Sequence, residues 1–279
     1  WLMQFKSVVK EWADWNYSGF EPKPMWPVLS TMREYLKGDY NDPRVVYEHY
    51  AKNEELGTLR TFESIPLFSG RATLEGLYMQ SSLSSPFVFY LQSEISSEAS
   101  CPFPQYGCTN LDLGKAIKHL QMFNVRDFIV RSDAVKEAIK KHPEYVLKKA
   151  FGPYHVYELT VNDGHYVTPL AYEPVLVQSK NWKMLAYQWF RSPSLLDVPL
   201  VFVDQPDQQD LQRFKTVIRN DRIGDLPKVP TQASCTAKER IENEEIDIYT
   251  DCIGKPLLVK VSWHPNWRVE GASKVYHVS

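Results

Sequence analysis

The spacing of apolar residues predicts helices and strands in alternation over the first part of the chain. Apolar positions three and four residues apart, as in Leu2, Phe5, Val9 and Trp12, form the apolar stripe of an amphipathic helix. The helices predicted in this way cover residues 1–15, 28–36, 87–94, 113–123 and 135–141. Short apolar runs predict strands at 44–48, 72–77, 128–130, 145–150 and 154–159. This alternation is typical of a layered α/β (Rossmann-like) domain, which we place at residues 1–160.

Helical spacing largely stops after Thr160. The strands predicted beyond this point lie at 166–170, 174–178, 198–203, 246–250 and 257–263, with one helix at 207–217. Short strands separated by Pro, Gly, Asn and Asp are typical of a sandwich or barrel. Residues 161–279 are therefore predicted to form a mainly antiparallel β-sandwich-like domain, and the expected fold class of the whole chain is α+β.

The most regular alternation lies near the end of the chain. From Leu257 to Trp263, every second residue is apolar, which predicts a half-buried strand. A turn around Gly271 and a second short strand at 274–278 then predict a C-terminal hairpin. Because the sequence stops at Ser279 in mid-strand, we expect the second domain to be truncated at its C-terminus.

The composition is that of a globular protein. The 279 residues are 43% hydrophobic and 24% charged, with a formal net charge of −2. No run of Lys or Arg is long enough to follow a phosphate backbone, so nucleic acid is not expected as a partner. No apolar run reaches the roughly 18 residues that a membrane span needs.

Four cysteines fall into two local pairs, Cys101 with Cys108 and Cys235 with Cys252. Three connectivities are possible, and local pairing closes short loops. Zinc is a weaker reading, because neither pair has the close C-x-x-C spacing common in zinc sites. We favour disulfides, and hence an oxidising extracytoplasmic compartment, over reduced cysteines in a cytosolic protein.

Two clusters of carboxylates lie in the second half of the chain. Asp204, Asp207 and Asp210 can be read as a calcium loop, although a solvated helix start is favoured. The other cluster comprises Glu242, Glu244, Glu245 and Asp247. We favour a solvated strand face for this cluster over a glycosidase pair, which needs a specific carboxylate separation.

Motifs with a known chemistry are absent from the sequence. The seven histidines show no H-x-H or H-E-x-x-H spacing. The chain also has no G-x-S-x-G, P-loop or G-x-G-x-x-G motif. We therefore predict no catalytic residue, no metal ligand and no cofactor.

Aromatic residues provide the remaining candidate site. Sugar binding uses exposed rings beside amide or carboxylate groups. The candidate ligand-binding residues are Tyr78, Gln80, Trp182 and Trp189. Core packing explains Tyr78 and Gln80 about equally well, and it is the favoured reading of Trp263.

Several segments of the chain, taken in order, resemble a known family. They are residues 70–82 (GRATLEGLYMQSS), 86–89 (PFVF), 120–130 and 259–268. These segments resemble the extracytoplasmic region of bacterial multi-pass membrane proteins of the 6-pyruvoyl-tetrahydropterin-synthase-related family, which look like GT-C type lipid-linked-sugar glycosyltransferases. The resemblance covers most of the chain. It carries over no catalytic residue, because the family's acidic residue is expected in a loop between membrane helices, which this sequence lacks.

The resemblance implies a non-catalytic extracytoplasmic domain that positions a glycan or lipid-linked acceptor near the membrane. Its expected partners are the transmembrane part of the same polypeptide, through which it would be anchored, and a glycan or lipid-linked sugar. No cofactor is implied. The alternative is a secreted carbohydrate-active protein, either a carboxylate-dependent glycoside hydrolase or a glycan-binding module.

Overall fold

A computed structural model of the chain describes residues 6–76, 82–232 and 234–279. The fold contains both helices and strands, which confirms the expected α+β class. Contacts divide the chain into two compact units, Trp1–Gly164 and His165–Ser279. No helix within the described ranges is both long enough and apolar enough to cross a membrane.

The first unit combines six α-helices with four strands in its described residues. The helices are α1 (Lys6–Tyr17), α2 (Trp26–Tyr35), α3 (Ile65–Ser69), α4 (Ser85–Ile95), α5 (Leu113–Met122) and α6 (Asp133–Ile139). Two 3-10 helices, Ala51–Leu56 and Thr61–Ser64, precede α3. The strands are β1 (Arg44–Tyr47), β2 (Val125–Val130), β3 (Tyr145–Phe151) and β4 (Tyr154–Leu159). The strand predicted at 72–77 is not formed in its described part, where Thr73 makes only an isolated bridge to Val45.

A four-stranded sheet in the order β1-β2-β4-β3 lies at the centre of this unit. β1 and β2 are parallel, whereas β4 is antiparallel to both β2 and β3. Val46 and Phe128 pack into one apolar cluster with α4, α5 and α6, and the alternate residues Val45 and Ile129 pack into another with α2. Because both faces of the sheet are covered, β1 is apolar at consecutive positions instead of alternating.

The carboxylate of Glu48, the residue after β1, joins the ends of the two parallel strands. Its Oε2 accepts hydrogen bonds from the backbone N–H groups of Arg131 (2.9 Å) and Ser132 (2.8 Å). Its Oε1 accepts one from the Ser97 hydroxyl (3.2 Å). Ser132 also caps α6 by accepting a hydrogen bond from the Val135 N–H (3.1 Å). Glu48 is only 1% exposed, so its carboxylate replaces water for these donors.

The second unit contains short strands and two helices. The helices are α7 (Trp182–Phe190) and α8 (Gln208–Arg213). The strands are β5 (Val167–Pro169), β6 (Val175–Val177), β7 (Leu200–Phe202), β8 (Val217–Ile218), β9 (Ala237–Ile241), β10 (Ile246–Thr250), β11 (Leu257–Val259) and β12 (His277–Val278). The sequence analysis missed α7, and α8 is shorter than the predicted helix at 207–217.

Four of these strands form a sheet in the order β12-β7-β6-β8, in which β6 is parallel to both β7 and β8. The prediction of a mainly antiparallel β-sandwich is wrong for this sheet. α7 connects β6 to β7, and α8 connects β7 to β8. Such helical crossovers bring the chain back to start each new strand in the same direction. The pairs β9–β10, β5–β11 and β7–β12 are antiparallel.

The predicted C-terminal hairpin is also wrong. β11 pairs with β5, and β12 pairs with β7, where His277 lies opposite Phe202. β11 ends at Val259, well before the predicted end at Trp263. The physical reason is a tight backbone turn, in which the Val261 N–H donates to the Val259 carbonyl (2.9 Å). The chain leaves the direction of the strand at this turn.

Two disulfides close local loops, Cys101–Cys108 and Cys235–Cys252. These are the local pairs that the sequence favours. Cys235 precedes β9 and Cys252 follows β10, so the second bond joins the open ends of the β9–β10 hairpin. Disulfides of this kind indicate an oxidising, extracytoplasmic environment.

We expect Glu48→Ala to lower the free energy of unfolding by about 3 kcal/mol, because two buried backbone N–H groups lose their acceptor. Urea denaturation of the full chain measures this change. The matched control is Glu54→Ala, which removes an exposed carboxylate nearby and should stay within about 0.5 kcal/mol of wild type. Equal effects of the two substitutions would contradict the role given to Glu48.

The two disulfides should contribute unequally to stability. Their cysteines are 17 residues apart in Cys235–Cys252 and 7 apart in Cys101–Cys108. Loop-closure entropy then predicts losses of about 3 and about 2 kcal/mol when each pair is replaced by serine. Denaturation of the two double variants tests the order, and a larger loss for the shorter loop would contradict the entropic account.

Candidate functional site

A cleft of 340 Å³ lies in the first unit, between the end of α2 and the chain that follows α3. Its lining residues are Gly38, Asp39, Tyr40, Pro66, Gly70, Ala72, Thr73 and Glu75. Tyr40 is 54% exposed, so its ring is available at the rim. The cleft therefore combines an aromatic ring with carboxylate and hydroxyl groups.

Backbone at two glycines forms one wall of the cleft. The Gly38 N–H donates to the Ser69 carbonyl (2.9 Å), which draws the two segments together. Gly70 has a φ of +78°, and a Cβ there would lie 2.3 Å from the Gly38 carbonyl oxygen. No side chain fits at Gly70 without moving backbone, so glycine is required on both conformational and steric grounds.

The Glu75 carboxyl group lies at the inner end of the cleft among other polar side chains. Burial raises its pKa, and the charge of Glu63 raises it further, while Tyr47, His49 and Arg60 partly lower it. Burial also raises the pKa of Glu63, which is paired with Arg60. Two carboxyl groups thus hold their protons to higher pH than ordinary glutamates do.

The inner groups of this site have unused hydrogen-bonding capacity. The Tyr47 hydroxyl and Oε1 of Glu75 face each other, but neither makes a hydrogen bond of standard geometry within the described part of the chain. Protonated Glu75 offers a donor as well as an acceptor. Both atoms are buried, and the raised pKa of Glu75 keeps a proton between them to higher pH.

The sequence-predicted ligand-binding residues have different outcomes. Tyr78 and Gln80 lie outside the described residues, just after Glu75 in sequence. Trp189 is 1% exposed, and its indole N–H donates to the Leu195 (3.0 Å) and Val198 (2.9 Å) carbonyls, which makes it a core residue.

Trp182, the other predicted tryptophan, is half-buried at the start of α7. Its ring contacts Phe202, with 5.7 Å between centroids, and His277, with 4.6 Å. The structure therefore does not bring Trp182 and Trp189 together at one surface.

Two carboxylates of the predicted calcium loop, Asp207 and Asp210, serve the fold. Asp207 caps α8 by accepting a hydrogen bond from the Asp210 N–H (2.8 Å), which agrees with the favoured reading of a helix start. Asp210 is buried and accepts hydrogen bonds from Lys274 (2.7 Å) and Tyr276 (2.6 Å). These partners already use the oxygen atoms that a calcium ion would need.

Sequence reasoning missed Glu63, Glu75 and Tyr40. Glu75 stands within the segment GRATLEGLYMQSS, whose predicted ligand-binding residues are Tyr78 and Gln80. The available signal was a lone carboxylate among glycine and apolar residues, a setting in which burial shifts a pKa.

A family comparison covers the region that contains this cleft. The profile of the family described as "Domain of unknown function (DUF8559)" matches residues 30–175, more than half of the chain. The chain belongs to this family. All eight lining residues of the cleft fall inside the range that matches the family.

Two curated proteins share a short similar segment with this DUF8559 chain. They are alpha,alpha-trehalose-phosphate synthases [UDP-forming] 1 and 2 of Aphelenchoides avenae, each 42% identical over 45 residues. The similar segment is 15% of this chain and 4% of each synthase, so the chain spans only a small part of those relatives. No solved structure matches the chain.

The raised pKa of Glu75 predicts a pH dependence of stability. The folded chain holds this proton more tightly than the unfolded chain, so the stabilisation is complete below the ordinary glutamate pKa of 4.5 and is lost as pH rises through the folded value. Glu75→Gln should reduce this loss and make the variant more stable than wild type at pH 7.5. Urea denaturation at pH 4.5 and pH 7.5 measures the free energy of unfolding of wild type and Glu75→Gln. Glu34→Gln, at an exposed position, is the control.

Proposed function

We propose that this chain is the extracytoplasmic domain of a bacterial multi-pass membrane protein that resembles GT-C glycosyltransferases. In this proposal, the cleft of the first unit binds a glycan or the sugar of a lipid-linked acceptor and positions it for chemistry carried out elsewhere. The observation that carries the proposal is the combination of the exposed Tyr40 ring with the Glu75 carboxyl group in one cleft of 340 Å³.

The residue types in the cleft suit a sugar. A pyranose ring has an apolar face that packs on an aromatic ring, and hydroxyl groups that need oriented donors and acceptors. Tyr40 supplies the ring, and Asp39, Thr73 and Glu75 supply oxygen atoms near it. The glycine wall lets a ligand approach the backbone closely.

Two other observations support a carbohydrate role outside the cytosol. The disulfides indicate an oxidising compartment, as expected for an extracytoplasmic domain. The synthases that share the 45-residue segment are named for forming trehalose phosphate, a sugar derivative. Anchoring would come from membrane helices of the same polypeptide outside the sequence described here.

A second candidate function is glycoside hydrolysis, favoured by the raised pKa of Glu75. A glycosidase needs one carboxyl group that keeps its proton and donates it to the leaving oxygen, and a second carboxylate that acts as nucleophile or base. In this reading, Glu75 is the acid and Glu63 the second group.

Binding measurements on the full chain test both candidates. Methyl glucoside, trehalose and trehalose phosphate are titrated by saturation-transfer NMR against wild type, Tyr40→Ala and Glu75→Gln. We expect saturable binding to wild type that weakens about tenfold in Tyr40→Ala, since loss of a ring contact costs about 1.4 kcal/mol. Tyr249→Ala, which removes an exposed ring in the second unit, is the matched control.

The same samples separate the two candidates. Release of reducing sugar by wild type, and its loss in Glu75→Gln with binding retained, would identify a hydrolase. Binding without product formation supports the positioning role. The proposed cleft is contradicted if none of the sugars binds, or if both cleft variants bind as wild type does.

A further inference from the structure

Four aromatic side chains of the second unit meet at one edge of its parallel sheet. They are Trp182, Phe202, Trp263 and His277, and each is half-buried. The Trp182 and His277 rings are nearly perpendicular, at 82° and 4.6 Å between centroids. The Trp263 ring stacks on His277 at 17° and 5.3 Å. We call this set the aromatic corner.

The aromatic corner lies beyond the carboxyl ends of parallel strands. β6 pairs in parallel with both β7 and β8, so these three strands end at the same edge of the sheet. In open sheets with parallel strands, ligand sites lie outside this carboxyl edge. The strand order reverses between β6 and β8, and the corner lies on the β7 side of β6. Phe202 is the last residue of β7, and Trp182 follows the end of β6. The aromatic corner therefore lies at the carboxyl edge.

Polar groups occur at the same edge. Gln178, directly after β6, donates through Nε2 to the Asp204 carbonyl beyond β7 (3.4 Å). The Ser179 hydroxyl donates to Asp221, which follows β8. The end of β6 thus supplies an amide and a hydroxyl group, the end of β7 a main-chain carbonyl, and the end of β8 a carboxylate.

The corner itself has polar atoms that remain available. Within the residues that the structure describes, the indole N–H groups of Trp182 and Trp263 and the ring nitrogens of His277 have no hydrogen-bond partner. Burial lowers the pKa of His277 to about 4, so its ring is neutral at physiological pH and offers one donor and one acceptor. By comparison, the indole N–H of Trp189 is fully used in the core.

We propose that the aromatic corner, together with the polar ends of β6, β7 and β8, is a binding site for an uncharged pyranose sugar. The apolar face of the sugar packs on the Trp182 or Trp263 ring, and its hydroxyl groups bond to the free ring nitrogens. This site is separate from the cleft of the first unit and does not depend on it.

The local charges favour a neutral sugar over a phosphate-bearing ligand. A neutral His277 gives no positive charge to an anion, and the Asp221 carboxylate adds negative charge at the carboxyl edge of the same sheet. Lys183 lies over the Trp182 ring, 5.6 Å from its centroid, and is the one cation recorded in contact with the corner among the described residues. Hydrogen bonding to hydroxyl groups needs no such cation.

The test uses the full chain labelled with ¹⁵N, so that the indole N–H signal of each tryptophan can be followed. Methyl glucoside, methyl galactoside and methyl mannoside are titrated one at a time, with uridine monophosphate as the phosphate-bearing comparison. We expect at least one glycoside to shift the Trp182 and Trp263 signals saturably and leave the Trp189 signal unchanged. Trp→Phe variants assign the signals.

Three variants locate the binding energy. Trp182→Ala should weaken binding of that glycoside about tenfold, whereas Trp182→Phe should retain most of it because a ring remains. Tyr249→Ala, an exposed ring on β10 of the same unit, should bind as wild type does. If Trp182→Ala fails to fold, His277→Ala takes its place with the same expected loss.

The proposal is overturned if no glycoside shifts the Trp182 or Trp263 signal, if only uridine monophosphate does, or if the corner variants keep wild-type affinity. The Tyr40→Ala and Glu75→Gln variants separate this result from that of the cleft. Indole shifts that persist in those two variants support the corner even where the cleft binds nothing.

Discussion

The first unit depends on a buried carboxylate that has no charged partner in its immediate hydrogen bonds. Glu48 directly follows β1, and its carboxylate accepts hydrogen bonds from backbone N–H groups just after β2 and at the start of α6. Parallel strands end at the same edge, and there the backbone leaves the ladder with unsatisfied donors. The Glu48 carboxylate accepts hydrogen bonds from these donors, and in this way it links the ends of both strands to the start of α6. The Arg131 side chain also donates a hydrogen bond to the Tyr154 hydroxyl (3.1 Å), which links this edge of the sheet to β4.

Regular amphipathic elements could be predicted well from sequence. α2, α5, α6 and the strands β1 to β4 all carry either helical spacing or short apolar runs bounded by turn residues. Their local preference and their tertiary environment agree, so the local pattern is sufficient. The bounds differ by a few residues because helix ends are set by caps, such as Asp112 accepting from the Lys115 N–H at α5.

The second unit shows where such reasoning fails. α7 reads WKMLAYQWF, with buried residues on most of its surface, so it has too little polar face to show helical spacing. Because the sequence pattern does not reveal that helix, it places β6 and β7 in a mainly antiparallel sandwich. The aromatic rings at 182 and 189 also looked equivalent, although one end of α7 is half-buried and the other lies in the core. Local composition could not separate them, because the difference arises from strand order.

The candidate site was hidden from sequence for a different reason. Burial raises the pKa of both Glu63 and Glu75, and the charge of Glu63 raises that of Glu75 further. Neither residue belongs to a motif with fixed spacing. A pKa shift of this kind is a property of the fold. In the segment that carries Glu75, the sequence points to a family resemblance and to Tyr78 and Gln80, and not to Glu75 itself.

The backbone wall of the cleft has a consequence for how its specificity can change. Gly38 and Gly70 shape that wall with main-chain atoms, so its form does not depend on which side chains surround it. Rim residues such as Tyr40 and Thr73 are more exposed and do not belong to either apolar cluster of the sheet. Exchange of rim residues can therefore retarget the cleft while the scaffold stays intact, which makes this domain a suitable starting point for engineering new ligand preferences.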